Sequence, residues 1–153
     1  MELSTLFRLQ CRDGDFTRYE CLYYYIVFES IVDYEDNEDS KRYYEELGSK
    51  VIKLGWHIGS WKRIKGLMKR MKAEGFIESA PVRVQEDYWI GDGRHRFCCA
   101  MALNLDNVPV QVTGGRRKQF LSRDWFVENF DSSIIEKLDS AKDKLKGRYE
   151  IPN

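Results

Sequence analysis

Between about Phe16 and Tyr34 apolar and aromatic side chains crowd together with no Gly or Pro among them. The stretch is too long for one strand and reads as a helix, although Tyr23, Tyr24, Tyr25, Ile26, Val27 and Phe28 individually favour strands. The acidic run Asp33–Asp39 reads as a solvated helix end or loop. A short helix over Ser40–Leu47 is expected next, closed by Gly48 in the C′ position, with Val51–Leu54 as a short strand. Ser60 is a good N-cap for a helix over Trp61–Glu74, where Trp61, Ile64, Leu67, Met68 and Met71 fall on one face. Gly75 ends it. Pro81–Gln85 and Tyr88–Ile90 read as two short strands joined at Glu86-Asp87 by a hairpin turn. Gly91-Asp92-Gly93 breaks the second strand, and a helix runs from near Arg94 to about Leu103. A further strand over Val108–Val112 ends at Gly114-Gly115, and two helices, Arg123–Asn129 and Ser132–Leu145, complete the chain.

These elements make a mixed α/β (α+β) fold in one domain of 153 residues. Residues 1–48 form a helical, aromatic-rich N-terminal extension, 49–115 the core and 116–153 the C-terminal helices. With 42% apolar residues the chain can fill a core, yet no apolar run approaches the roughly 20 residues that span a bilayer. Met1–Gln10 has no basic stretch followed by an apolar one, so an export signal is not expected. Cys11, Cys21, Cys98 and Cys99 show no zinc-ligand spacing, so four reduced thiols in a cytoplasmic protein is the plain reading.

Charge changes the picture more than composition does. The net charge is zero, but residues 1–48 carry 12 acidic and 5 basic groups, whereas residues 49–75 carry 8 basic groups against Glu74 alone. The basic face Lys62, Arg63, Lys65, Lys69, Arg70 and Lys72 could follow a nucleic-acid backbone or be an ordinary solvated face. With so acidic an N-terminal region, weak and non-specific nucleic-acid binding is the most expected. Tyr19–Tyr25 could stack bases, or form a core or an oligomer contact.

The candidate chemistry lies at Gly91–Arg96, where a strand, a glycine turn and a basic helix start follow one another. The first turn of a helix offers unpaired N–H groups and a positive dipole end. Gly91 and Gly93 let the backbone approach a ligand, and phosphate is the usual guest. Arg94 and Arg96 bring cations to a helix end that disfavours them, which suggests a compensating anion. Arg96 could clamp phosphate oxygens bidentately and His95 could donate a hydrogen bond. A tight turn with surface arginines is the competing reading. Gly55-Trp56-His57-Ile58-Gly59-Ser60 is a second loop feeding a helix start. It makes His57 and Ser60 a candidate second anion site, or a loop histidine packed beside Trp56 and Trp61. Arg116, Arg117 and Lys118 could reach the same cleft from beyond the last strand.

Pro81-Val-Arg-Val, then Trp89-Ile-Gly-Asp-Gly-Arg-His-Arg-Phe-Cys-Cys-Ala-Met-Ala-Leu, then Asn107-Val-Pro-Val resembles the ParB/sulfiredoxin superfamily over about Val51–Val112. The resemblance implies a small mixed sheet with flanking helices and a nucleotide, ATP, ADP or CTP, held by its phosphates on Gly93, His95 and Arg96. Sulfiredoxins carry a reactive cysteine immediately before His-Arg; Arg94 stands there instead, so sulfinic-acid reduction is not expected. Partition proteins add a helix-turn-helix domain for which this chain is too short. The Asp-Gly-x-His-Arg form is closest to the small-molecule kinase branch. There the resemblance implies phosphoryl transfer to a small-molecule acceptor, with Asp92 as base or magnesium ligand and His57 as the next catalytic candidate. A non-enzymatic nucleotide- or nucleic-acid-binding module, a ParB-like nuclease and a degenerate fold kept for protein interaction are the alternatives.

Overall fold

The computed structural model describes residues 1–76, 80–114 and 119–151. Along the chain these form α1 (Leu3–Leu9), α2 (Tyr19–Ser30), α3 (Glu38–Val51), a 3-10 turn (Ile52–Leu54) and α4 (Trp61–Glu74). Then come β1 (Val82–Val84), β2 (Ile90–Asp92), α5 (Arg94–Ala102), β3 (Val110–Val112), α6 (Arg123–Asn129) and α7 (Ser132–Arg148). The fold is mixed α+β: a three-stranded sheet in the order β2-β1-β3, with β2 antiparallel and β3 parallel to the central β1. No helix among the described residues is long and apolar enough to cross a membrane.

The aromatic stretch is the central helix. Nine of the twelve residues of α2 are buried, and it packs along α5 on one side and α7 on another. A helix apolar all round belongs inside the protein, which is why the stretch shows no clean amphipathic period. It is shorter than expected: Arg18 breaks helical geometry at its start (φ −82°, ψ 80°) and Ile31 caps its end. The tyrosines expected either to stack bases or to build a core do the second. Tyr23 donates to the Tyr43 carbonyl at 2.6 Å and Tyr19 to Asp139 at 2.6 Å. One buried cluster runs from Leu3 to Tyr149, and Cys98 and Cys99 pack within it.

The expected strand at Val51–Leu54 is overturned. α3 continues through Gly48 to Val51, and Ile52–Leu54 is a 3-10 turn. Tyr44, Leu47 and Val51 are its buried face, a spacing of three and four that belongs to a helix. Gly48 is therefore a packing residue; a Cβ there would sit 3.5 Å from Ile58 Cδ1. Gly55, at φ +80°, makes the left-handed turn that ends this segment. α1 was not expected at all, and α7 runs three residues past Leu145. The helix over Trp61–Glu74 forms as read, with the Ser60 hydroxyl accepting from the Arg63 N–H at 3.3 Å and Gly75 closing it at φ +74°.

The hairpin turn sits at Glu86-Asp87, but β2 is displaced from its expected place: it starts at Ile90 and carries Gly91 and Asp92 within it. Its outer edge is held by polar groups from the N-terminal segment. Gln10 Oε1 accepts the Ile90 N–H at 3.0 Å, Gln10 Nε2 donates to the Tyr88 carbonyl at 2.8 Å, and Arg18 donates to the Ile90 carbonyl at 3.1 Å. Those bonds satisfy an edge that would otherwise be open and fix the strand that ends at the exposed Asp92 and leads into the buried Gly93.

Candidate functional site

A cleft of about 630 Å³ opens between three segments: the loop 54–58, the inner face of α4, and the turn from β2 into α5. Its size suits a small organic ligand. His57, Gly91, Asp92, Gly93, Arg94, His95 and Arg96, read from the sequence as site residues, all line it. Ser60 does not; its hydroxyl caps α4. Gly115, Arg116, Arg117 and Lys118 lie outside the described residues.

Gly93 is the pivot. Its φ of +99° and ψ of +22° are left-handed, and it occupies the N-cap position of α5 with no side chain capping the helix. A Cβ there would stand 3.0 Å from Arg96 Nη2 and 3.2 Å from the Val82 Cα, so the position is closed to side chains. The first-turn N–H groups of α5 have no intrahelical acceptor, and Arg94, His95 and Arg96, which carry them, line the cleft. Asp92, which precedes Gly93, makes no capping bond to the helix. It is half-exposed and sits 3.7 Å from both Arg83 and Arg96.

Arg96 anchors through Nη2 on the Pro81 carbonyl at 3.1 Å, while its buried Nε has no hydrogen-bond partner. Burial lowers its pKa, Asp92 opposes the shift, and Arg83, Arg63 and Arg70 lower it further. Arg63 and Arg70 are seven residues apart on α4 and both line the cleft. In the sequence they were only members of a basic face. That face is divided: Lys65 pairs with Asp36 at 2.6 Å and Lys72 bonds the Val32 carbonyl, while the two arginines, exposed, border the cleft.

Two expected phosphate contacts are turned elsewhere. Arg94 donates to Glu20 Oε2 at 3.1 Å, and its guanidinium lies over the Trp56 ring at 4.7 Å. Glu20 is wholly buried and also faces Arg18 at 3.9 Å. Burial raises its pKa, against the pull of Arg18 and Arg94. No local signal could have paired residues 74 positions apart. His95 is stacked on Tyr24 at 4.2 Å, and burial, with Arg94, Arg63 and Arg96 adding, pushes its pKa down to about 3. Tyr44 donates its hydroxyl proton to the Ile58 carbonyl. Its oxygen must therefore accept from His95 Nε2, 3.2 Å away, which assigns the Nε2–H tautomer from the network. The imidazole is neutral, and its Nε2–H is already committed to Tyr44 rather than to a ligand.

His57 is exposed in the opposite wall. Among the described residues Asp92 is the one carboxylate lining the cleft, and no group of three or more His, Cys, Asp or Glu gathers. Asp92 could still join a magnesium ion, since that ion is often held by one or two carboxylates together with substrate phosphates. Burial raises the Cys98 and Cys99 thiols well above the usual range, which makes them poor nucleophiles.

The chain matches no protein-family model, no curated protein and no solved structure.

Proposed function

We propose that this cleft binds the phosphates of a nucleotide, ATP, ADP or CTP, and that it transfers a phosphoryl group to a small-molecule acceptor. One observation carries the binding reading: Arg83 and Arg96 flank Asp92 at 3.7 Å, and Arg63 and Arg70 join Arg96 on the wall of the same cleft, beside the open first turn of α5. Arginines held this close repel one another, and a polyanion removes the repulsion. Gly93 gives phosphate oxygens access to the backbone amides, and Arg96 supplies a planar fork of donors. Phosphoryl transfer needs mainly positioning and charge stabilisation. Asp92 is placed to carry magnesium or to accept the acceptor's proton, with His57 as the alternative group. The ParB/sulfiredoxin resemblance of the Asp92–Arg96 turn supports the same assignment. A non-enzymatic nucleotide-binding module is the second reading. It is favoured by the engagement of Asp92 with two arginines, which serves a structural role equally well.

Thermal shift with ATP, ADP and CTP, with and without magnesium, tests binding, because a ligand selective for the folded state raises its apparent stability. Arg96→Ala should remove most of that rise. A folded Arg96→Ala protein that binds as tightly as the parent would overturn the site. Asp92→Asn then separates enzyme from binder. Turnover should fall by roughly 100-fold or more, while metal-free nucleotide affinity holds or tightens as the repelling carboxylate is lost. Unchanged turnover removes Asp92 from the chemistry.

A further inference from the structure

The cleft has two characters. Around Gly93 it is cationic; away from it, Trp56, Leu67, Met71 and Phe76 supply an apolar wall. Bare polyphosphate would use only the first half. A ligand that fills both must carry phosphates at one end and a flat apolar group at the other.

Trp56 is the one ring in that wall with a constructed support. Arg94 covers one face, its guanidinium carbon 4.7 Å from the ring centroid. Arg94 is itself fixed from behind, its Nη1 3.1 Å from Glu20, whose side chain is fully buried. No other ring or cation stacks on Trp56 among the described residues. The indole is half-buried, so part of it remains open to the cleft. The support also sets the span: Arg94 immediately follows Gly93, so Trp56 stands one arginine side chain away from the phosphate turn. A ribose bridges a comparable gap between a base and its phosphates.

We infer that Trp56 is the stacking surface for the base of the nucleotide, held flat by the Arg94–Glu20 pair, and that it makes the cleft prefer nucleotides to inorganic polyphosphate. This rests on the phosphate-binding reading of the same cleft and adds the group that recognises the other end of the ligand. It also accounts for Arg94, a cation at a helix start that is not spent on phosphate. A base stacked on Trp56 would meet a π-surface whose far face is already occupied by a cation, a favourable arrangement for any nucleobase.

The test compares two probes, ATP and inorganic tripolyphosphate, by calorimetric titration of the parent, Trp56→Ala and Trp56→Phe, each confirmed folded by its melting transition. The expected result is that the parent binds ATP more tightly than tripolyphosphate. Trp56→Ala should then lose about 5- to 100-fold in ATP affinity, the usual scale of one base–aromatic stack, with tripolyphosphate affinity unchanged. Trp56→Phe should recover most of the loss. Repeating the series with CTP should give the same order, since stacking needs no particular base. If Trp56→Ala leaves ATP affinity unchanged, or if both probes weaken equally, the stacking role is wrong while the phosphate site stands. If the parent binds neither ATP, CTP nor tripolyphosphate, the phosphate reading falls and this inference with it. Should Trp56→Ala fail to fold, Trp56→Phe and Trp56→Leu decide alone: Phe must bind ATP more tightly than Leu does, and equality overturns the proposal.

Discussion

His95 gives the cleft a measurable acid sensitivity. Burial pushes its pKa from 6.5 down to about 3, with Arg94, Arg63 and Arg96 adding to the effect. Between those two values the unfolded chain binds a proton that the folded chain refuses. Stability is therefore complete above about pH 6.5 and drains away as the pH falls toward 3. At about 1.36 kcal/mol per pH unit, the whole interval corresponds to about 5 kcal/mol for a sealed ring. His95 lines the cleft and is only partly buried by surface area, and water there softens the penalty to about 2–3 kcal/mol, of which about 2 kcal/mol has been lost by pH 4. His95→Gln removes the titration and keeps an amide N–H for Tyr44. Urea unfolding of both proteins at pH 7 and pH 4, in phosphate-free buffer, cancels the carboxylates common to both. The parent should lose about 2 kcal/mol more than His95→Gln across that interval. For a domain of this length the same difference is about 4–8 °C in melting temperature. Equal losses in the two proteins would mean that His95 is not held neutral by its surroundings, and the assigned tautomer would go with it.

Gly93→Ala should cost about 1–3 kcal/mol in chemical denaturation, because its Cβ would meet the Val82 backbone at 3.2 Å in a left-handed conformation. It should weaken nucleotide binding further, since Arg96 Nη2 must move, and an alanine protein as stable as the parent would refute that geometry. Glu20→Ala should lose about 3–5 kcal/mol, the scale for stranding buried charge, here on Arg18 and Arg94. A loss under about 1 kcal/mol on unfolding would show that the buried pair is not a structural anchor.

Much of the cleft's lining was legible in the sequence because its signals are local. A strand, a glycine and a helix start are contiguous in the sequence, and Ser60 precedes the α4 face by one residue. Gly93 followed from backbone chemistry alone. What could not be read depended on distance along the chain. Glu20 claims Arg94, and Tyr44 claims His95, through packing of α2 and α3 that no spacing announces. The strand expected at Val51–Leu54 failed for another reason. Gly48 and two β-branched residues argued against helix locally, while burial of Tyr44, Leu47 and Val51 decided for it. Arg63 and Arg70 held a readable clue, a seven-residue interval that puts both on one helix face, but the lysines around them obscured which side bordered the cleft.

The arginines at the cleft also have a kinetic consequence. A concave wall on which arginines outnumber carboxylates concentrates its field in the opening, so capture of the proposed anionic ligand would run faster than blind diffusion to so small a target. Dissociation is governed instead by contacts already made. Entry and exit therefore respond to different things. Added salt, with a screening length of about 8 Å at physiological strength, slows arrival far more than it hastens departure. Stopped-flow mixing at two ionic strengths reads that asymmetry directly, and it makes the occupancy of this cleft a matter of the ionic medium as much as of ligand supply.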